Sequence, residues 1–287
     1  MSITQVGNGG VVRLSRKIEE QTSTDYKPVN QPVKTSLIYP VEDIYCQVDG
    51  LKIHYQVSGP LQAPPLVLIH GIGGCINWWR ENVPSFSQHY RTYTLDLPGF
   101  GRSKRLSGKY TIEKATHFVR SWLELLHLKQ VYLVGHSMGG QIAARLASQH
   151  PELVEKLVLA APSGLWVSLK ERLGWLKNMP KVNVPLSQSL TIAMGTMRTD
   201  SLAFSQSLLA IISDKTAEES YKRLTTPTLL LWGSSDGVLP PMLGPRTLEH
   251  IKNAPVRLVY LDKGTHNLMF DQAQEFNKLV INFLGEV

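Results

Sequence analysis

Ser137 sits in Gly135-His136-Ser137-Met138-Gly139-Gly140, behind the apolar run Val131-Tyr132-Leu133-Val134 and ahead of a helix-like stretch, Gln141 to Gln149. A serine hydroxyl is a poor nucleophile at neutral pH. It attacks a carbonyl when a histidine takes its proton and a carboxylate orients that ring and stabilises its cation. Candidates for both partners follow later apolar runs: Asp236 after TPTLLLWG, and His266 after VRLVYLD. Glycines around Ser137 permit a tight turn that lifts its hydroxyl clear of the chain. A helix starting at Met138 would aim its first N–H groups at developing negative charge. A second Gly-rich loop, His70-Gly71-Ile72-Gly73-Gly74, follows PLVLI, and its small residues leave backbone N–H groups free to point outward. The G-x-S-x-G pattern alone decides little, because Gly-rich strand-to-helix turns are common in α/β proteins.

What gives these four places weight is that each follows an apolar run, since the carboxyl ends of parallel strands are where ligands gather. PLVLIH (65–70), YRTYTLDL (90–97), QVYLVG (130–135), KLVLAAP (156–162), TPTLLLWG (226–233) and APVRLVYLD (254–262) are runs of the kind a sheet covered on both faces requires. Amphipathic stretches such as TIEKATHFVRSWLELLHL (111–128) and QIAARLASQH (141–150) lie between them. This alternation predicts an α/β fold with a mostly parallel, doubly wound sheet. Ahead of it, IYCQV and LKIHYQV flank Asp49-Gly50, a two-residue hairpin signal that adds an antiparallel edge.

Between Ser163 and Thr225 the alternation stops. LWVSLKERLGWLKNM, QSLTIAMGTM and FSQSLLAIIS read as helices, interrupted by Pro180, Pro185 and Gly195, over a length far beyond an ordinary crossover. The expected organisation is a polar extension (1–40), a first core part (41–162), a helical insertion (163–225) and a second core part (226–287). The insertion is expected to cover the sheet's carboxyl edge, with its Leu, Trp and Met residues facing the cleft.

The 287 residues suffice for one sizeable core, and 43% hydrophobic with 18% charged residues is ordinary for a globular chain. No apolar run reaches the ~18 residues of a membrane span, and the first residues lack the apolar segment of a secretory signal, so a cytoplasmic protein without an integral membrane segment is expected. Cys46 and Cys75 are isolated in sequence, and no His pair has ligand spacing, so neither a metal nor a cofactor is expected. The net charge of +7 is scattered through helices and loops, which argues against nucleic acid and allows at most a mild preference for anionic surfaces or substrates.

With five motifs in order, the chain resembles the serine-dependent α/β-hydrolase superfamily over roughly Tyr45 to Val287. The HGxG-type loop is His70 to Gly73, the D-x-P-G-x-G-x-S loop Asp96 to Ser103, and the nucleophile elbow Gly135 to Gly139. The W-G-x-x-D-x-x-x-P stretch is Trp232 to Pro240, and the histidine loop is Gly264-Thr265-His266. The resemblance implies an eight-stranded-type sheet with a helical cap. It also implies Ser137 as nucleophile, Asp236 as acid, His266 as base, and the backbone N–H groups of Ile72 and Met138 as oxyanion donors. Serine at the elbow argues against epoxide-opening and halide-displacing relatives, which carry aspartate there.

Other assignments stay open. Asp236 could cap a loop, leaving Asp262 or Asp214 as the acid, whereas Ser163-Gly164 after KLVLAAP offers no carboxylate. His70 and His136 read as hydrogen-bonding residues beside the elbow and Asp96 as a loop-ordering one. Trp78, Trp79, Trp166 and Trp175 could line an acyl pocket or belong to the core. The expected reaction is hydrolysis of a small carboxylic ester with an apolar acyl or aryl group. Alternatives are carbon–carbon hydrolysis of ring-cleavage products, whose enzymes share the S-M-G-G elbow and the E-F-N-x-L-V-I-x-F-L ending, and a non-catalytic ligand sensor. The oligomeric state is not set by the sequence.

Overall fold

The computed structural model describes residues 39–166, 168–178 and 199–286. The extension up to residue 38 and the QSLTIAMGTM stretch lie outside them. Eight strands form one sheet in the order β1-β2-β4-β3-β5-β6-β7-β8. They are β1 (Glu42–Val48), β2 (Leu51–Ser58), β3 (Pro65–Ile69), β4 (Arg91–Leu95), β5 (Val131–His136), β6 (Val154–Ala160), β7 (Thr228–Gly233) and β8 (Val256–Leu261). β1 pairs with β2 and β2 with β4 antiparallel, and every other pairing is parallel. The α/β-hydrolase fold is thus present, antiparallel edge included. The hairpin turn takes positive φ at both Asp49 (49°) and Gly50 (75°), the backbone that matches the right-handed twist of the flanking strands.

The unbroken apolar strands make sense once the two faces are separated. Along β3, Val67 and Ile69 join the cluster under the helices α2 (Ile112–Leu125) and α3 (Met138–Gln149), with Phe118, Trp122 and Ile142. Leu66 and Leu68 join the opposite cluster, with Trp79, Phe86 from α1 (Val83–Phe86) and Phe276. Alternate residues thus enter different cores, so both must be apolar. Thr111 caps α2 by accepting the Lys114 N–H at 3.1 Å, and His127 ends it in the left-handed region at φ 55°.

Three helices of the 163–225 interval are described: α4 (Leu169–Asn178), α5 (Ser201–Ser213) and α6 (Ala217–Arg223). After β7 and β8 follow α7 (Leu243–His250), α8 (Leu268–Asp271) and α9 (Ala273–Gly285). One expectation changes here. Leu169, Leu173 and Leu176 of α4 face outward, as do Leu202, Leu208, Leu209 and Ile212 of α5. Two tethers set the roll of α4: Glu171 pairs with Arg246 of α7, and the Trp175 indole N–H donates to the Asp236 carbonyl at 2.8 Å. Residues 171 and 175 lie one turn apart, so anchoring that face turns the leucines away from the protein. No described helix is long and apolar enough to cross a membrane.

Candidate active site

β5 runs straight into α3 through a single residue, Ser137, held at φ 52° and ψ −116°. That backbone is costly for a residue with a Cβ and persists only when its surroundings enforce it. They do so by close approach. A Cβ at Gly139 would lie 2.4 Å from the Ile69 carbonyl oxygen, and one at Gly135 2.4 Å from that of Gly139. Only glycine lets β3, β5 and α3 meet this tightly. The Ser137 N–H donates to the Ala160 carbonyl of β6 at 3.0 Å, and its own carbonyl accepts from Gln141 and Ser163. Ser137 is thereby fixed from β6, from α3 and from Ser163, with 6% of its surface exposed.

The loop after β3 lies directly against this turn. A Cβ on Gly71 would come 3.0 Å from both the Ser137 Cβ and His136 Nδ1. Among the described residues, neither the Ile72 nor the Met138 N–H donates to another backbone carbonyl outside regular elements. Two N–H groups beside one serine form a pair able to receive an oxyanion.

His266 arrives from the loop after β8. Its Nδ1 lies 2.8 Å from Asp236 Oδ2, and its ring centroid 4.8 Å from that of His136. Asp236 is fully buried, and its other carboxylate oxygen accepts the N–H groups of Val238 and Leu239 at 2.8 Å each. A carboxylate at Nδ1 selects the tautomer with its proton there and leaves Nε2 as the acceptor. The carboxylate bonded to His266 is therefore that of Asp236. Asp214 instead meets Gln141 and Arg145, and Asp262 is exposed in the turn after β8.

The other two histidines are occupied by backbone groups. His70 Nε2 accepts the Leu97 N–H at 3.0 Å, so its Nδ1–H donates to the Gly71 carbonyl at 2.7 Å and ties the loops after β3 and β4 together. His136 Nε2–H donates to the His266 carbonyl at 2.9 Å and fixes the loop that carries that residue. Burial pushes the pKa of His70 below the usual histidine value, and that of His136 well below it, with the neighbouring His266 adding to the second shift.

A family model described as alpha/beta hydrolase fold matches residues 64–184. A pimeloyl-[acyl-carrier protein] methyl ester esterase of Aeromonas hydrophila is 28% identical over 253 residues, covering 78% of this chain and 96% of the relative. Epoxide hydrolase 3 of Xenopus tropicalis is also 28% identical, over 83% of this chain and 76% of its own. The crystal structure of the enol-lactonase from Burkholderia xenovorans LB400 superposes with a TM-score of 0.75 at 25% identity, over 85% of this chain and all of that one. The chain is thus similar in sequence and in fold to the α/β-hydrolase superfamily. It is an enzyme of that fold, a hydrolase.

In this hydrolase the tryptophans separate by environment. Trp78 is buried beside the elbow, its ring 5.7 Å from that of His136 and 6.3 Å from that of Phe270. Trp79 is wholly buried in the core against Phe276. Trp166 is 44% exposed and lines a cavity of ≈ 530 Å³ with Ile212, Lys215 and Arg246. That cavity does not include Ser137, Asp236 or His266. No group of three or more His, Cys, Asp or Glu able to hold a metal occurs among the described residues.

Four residues that brace the site, His54, Asp271, Gln141 and Tyr221, carried no sequence signal strong enough to single them out. Asp96 receives the Ile76 N–H at 2.8 Å, the Arg102 N–H at 3.0 Å and His54 Nδ1 at 2.7 Å, so it joins the oxyanion-side loop to the loop after β4. Its motif marked Asp96, but His54 reads in sequence as one more residue of an apolar strand. Asp271 accepts the Thr265 N–H at 2.6 Å and braces the His266 loop, and burial raises its pKa. Gln141 links Ser163 Oγ at 2.7 Å to Asp214 at 2.8 Å, and Tyr221 O–H donates to the Ser163 carbonyl at 2.6 Å, so the chain at Ser163 and at Tyr221 meets behind the Ser137 turn.

Proposed function

We propose that this hydrolase cleaves a carboxylic ester with an apolar acyl or aryl group through an acyl-enzyme on Ser137. The observation that carries the reading is the His266–Asp236 pair, its carboxylate buried and its histidine loop bonded to His136, next to a serine in strained backbone. His266 Nε2 takes the hydroxyl proton as Ser137 Oγ attacks the ester carbonyl. The oxygen that becomes negative is met by the N–H groups of Ile72 and Met138, the latter with the α3 dipole behind it. Collapse of the adduct expels the alcohol, which leaves with the proton from His266. Water, deprotonated by the same nitrogen, then releases the acid and restores Ser137. Asp236 keeps the ring oriented and offsets its transient positive charge. Buried Trp78 and Phe270 supply apolar walls near the elbow, which favours an apolar acyl or aryl group.

Residues 163–225 act in this reading as a cap inserted between the two core parts. Ester cleavage also accords with the relative named as a methyl ester esterase. Relatives named as epoxide hydrolases fit less well, because attack on an epoxide by the superfamily's carboxylate route needs an aspartate where this chain has Ser137.

The test is hydrolysis of p-nitrophenyl esters from acetate to laurate by the wild type and Ser137→Ala, with intact-mass detection of the acyl adduct. Turnover and an adduct confined to the wild type are expected. A folded wild type that gives neither overturns the ester reading and directs the search to carbon–carbon substrates.

A further inference from the structure

The loop between β3 and the helical turn Ile76–Trp79 is pinned at both ends to consecutive residues of the loop after β4. At its start His70 Nε2 accepts the Leu97 N–H at 3.0 Å, and at its end the Ile76 N–H donates to Asp96 Oδ1 at 2.8 Å. The Ile72 N–H, the proposed oxyanion donor, lies between those two bonds. Its place is therefore set from residues 96 and 97. Asp96 in turn is 1% exposed, and a Cβ on Gly101 would fall 2.2 Å from its Oδ2, so backbone closes over the carboxylate. A carboxylate buried this deeply holds its charge only with a compensating partner.

That partner is His54 of β2, itself fully buried. Its Nδ1 lies 2.7 Å from Asp96 Oδ2, and its Nε2 2.7 Å from Oδ1 of Asp43 on β1. An ionised carboxylate only accepts, so a histidine between two of them donates from both nitrogens and carries both ring protons. A neutral ring would set a lone pair against one of the oxygens. Two further observations agree with a cation there. Against the pull of burial, bonds from His54 and Gln56 and the Arg102 charge hold the Asp43 carboxyl below the usual carboxylate range, which makes it an ionised acceptor at neutral pH. The Tyr45 ring lies 4.9 Å from the His54 ring, within the distance at which an aromatic ring attracts a cation. Asp43 is 47% exposed and also meets Arg102 at 3.2 Å, so a row of alternating charges runs from the surface to the loop after β3.

We propose that His54 is a positioning residue for the loop from His70 to Ile76: as a buried cation between Asp43 and Asp96, it fixes the carboxylate that anchors the end of that loop. It acts through Asp96 and does not touch the substrate. Its effect on turnover rests on the ester reading, whereas its effect on the loop does not.

Three measurements on the full chain test this. Nitrogen-15 spectra at pH 7 should show both His54 ring nitrogens protonated. Hydrogen exchange read by mass spectrometry should show residues 70–79 exchanging about tenfold faster in His54→Asn, which keeps a donor but loses the charge, with β6 and β7 unchanged. Asp43→Asn changes a half-exposed position and keeps the test open should His54→Asn not fold; the same segment should exchange about two- to fivefold faster in it. On p-nitrophenyl acetate, His54→Asn should lower kcat about tenfold or more and leave KM within about twofold, since a misplaced oxyanion donor is felt in the transition state and not in substrate binding. A ring with one proton at pH 7 overturns the proposal. Loop exchange that is unchanged in both variants, or raised equally throughout the sheet as a general loss of stability would raise it, also overturns it. So does a change confined to KM, by placing the effect on substrate binding. Wild-type protein that turns over no ester removes the reading of the reaction alone, because ring protons and loop exchange still decide whether His54 holds the loop.

Discussion

At the scale of single residues, the site is a set of proton positions fixed by backbone partners. Asp236 selects the tautomer of His266, so Asp236→Asn should leave the fold intact while lowering kcat by about 10⁴, because the amide favours the wrong ring proton. Circular dichroism and ester kinetics together check this, and a variant with near wild-type kcat would remove Asp236 from the mechanism. His70 and His136 are held neutral by burial, and the sign of their effect follows. Their folded pKa values lie below the unfolded one, so below about pH 6.5 the unfolded chain binds protons that the native state does not. Stability should fall as pH decreases from about 6.5, with a limiting slope of ~1.4 kcal/mol per pH unit for each histidine. Chemical denaturation between pH 7.5 and 5 measures it. Replacing His136 by Asn should reduce the slope, and an unchanged slope would place the protonation elsewhere.

At the scale of elements, the strand–turn–helix unit from β5 to α3 carries the strained backbone of Ser137, the proposed nucleophile. Gly135 and Gly139 are needed for contact, not for conformational freedom, since an added Cβ would press on backbone that cannot move independently. Gly139→Ala should destabilise the protein by several kcal/mol, about 3 or more, as backbone overpacking does. Loss of soluble protein or a large drop in thermal midpoint is the expected reading, and a stable, fully active Gly139→Ala protein would contradict the geometry. The apolar runs and the Asp49-Gly50 hairpin were legible in sequence because each depends on neighbours a few residues away: side-chain alternation in one case, positive φ in the other. The roll of α4 was not legible. The same leucine spacing suits a helix facing inward or outward, and the choice rests on Arg246 and the Asp236 carbonyl, about sixty to seventy-five residues further along the chain.

At the scale of the whole molecule, the hydrolase places the proposed Ser137 centre at the carboxyl ends of its strands and exposed leucines on α4 and α5. Gln141, Ser163, Asp214 and Tyr221 form one network that reaches the carbonyl of Ser137. Gln141→Leu should therefore lower kcat on esters about tenfold, an effect on the order of one lost buried hydrogen bond, ~1–2 kcal/mol. KM should change little, because the network braces the elbow and does not line the substrate. Steady-state kinetics on one short and one long ester separate the two parameters, and a change confined to KM would place Gln141 in the substrate pocket instead.

By itself, the sequence determined the order of strands and helices, the two-sided sheet, the elbow at Ser137 and the three loops that bear Ile72, Asp236 and His266, because periodicity, glycine placement and turn chemistry act locally. Tertiary structure alone decided which carboxylate meets His266, that His136 braces it across 130 residues of chain, that Trp79 joins the core while Trp78 stands by the elbow, and that two helices turn their leucines outward. Each of those outcomes depends on which distant backbone groups converge at one sheet edge, and no local pattern encodes that convergence.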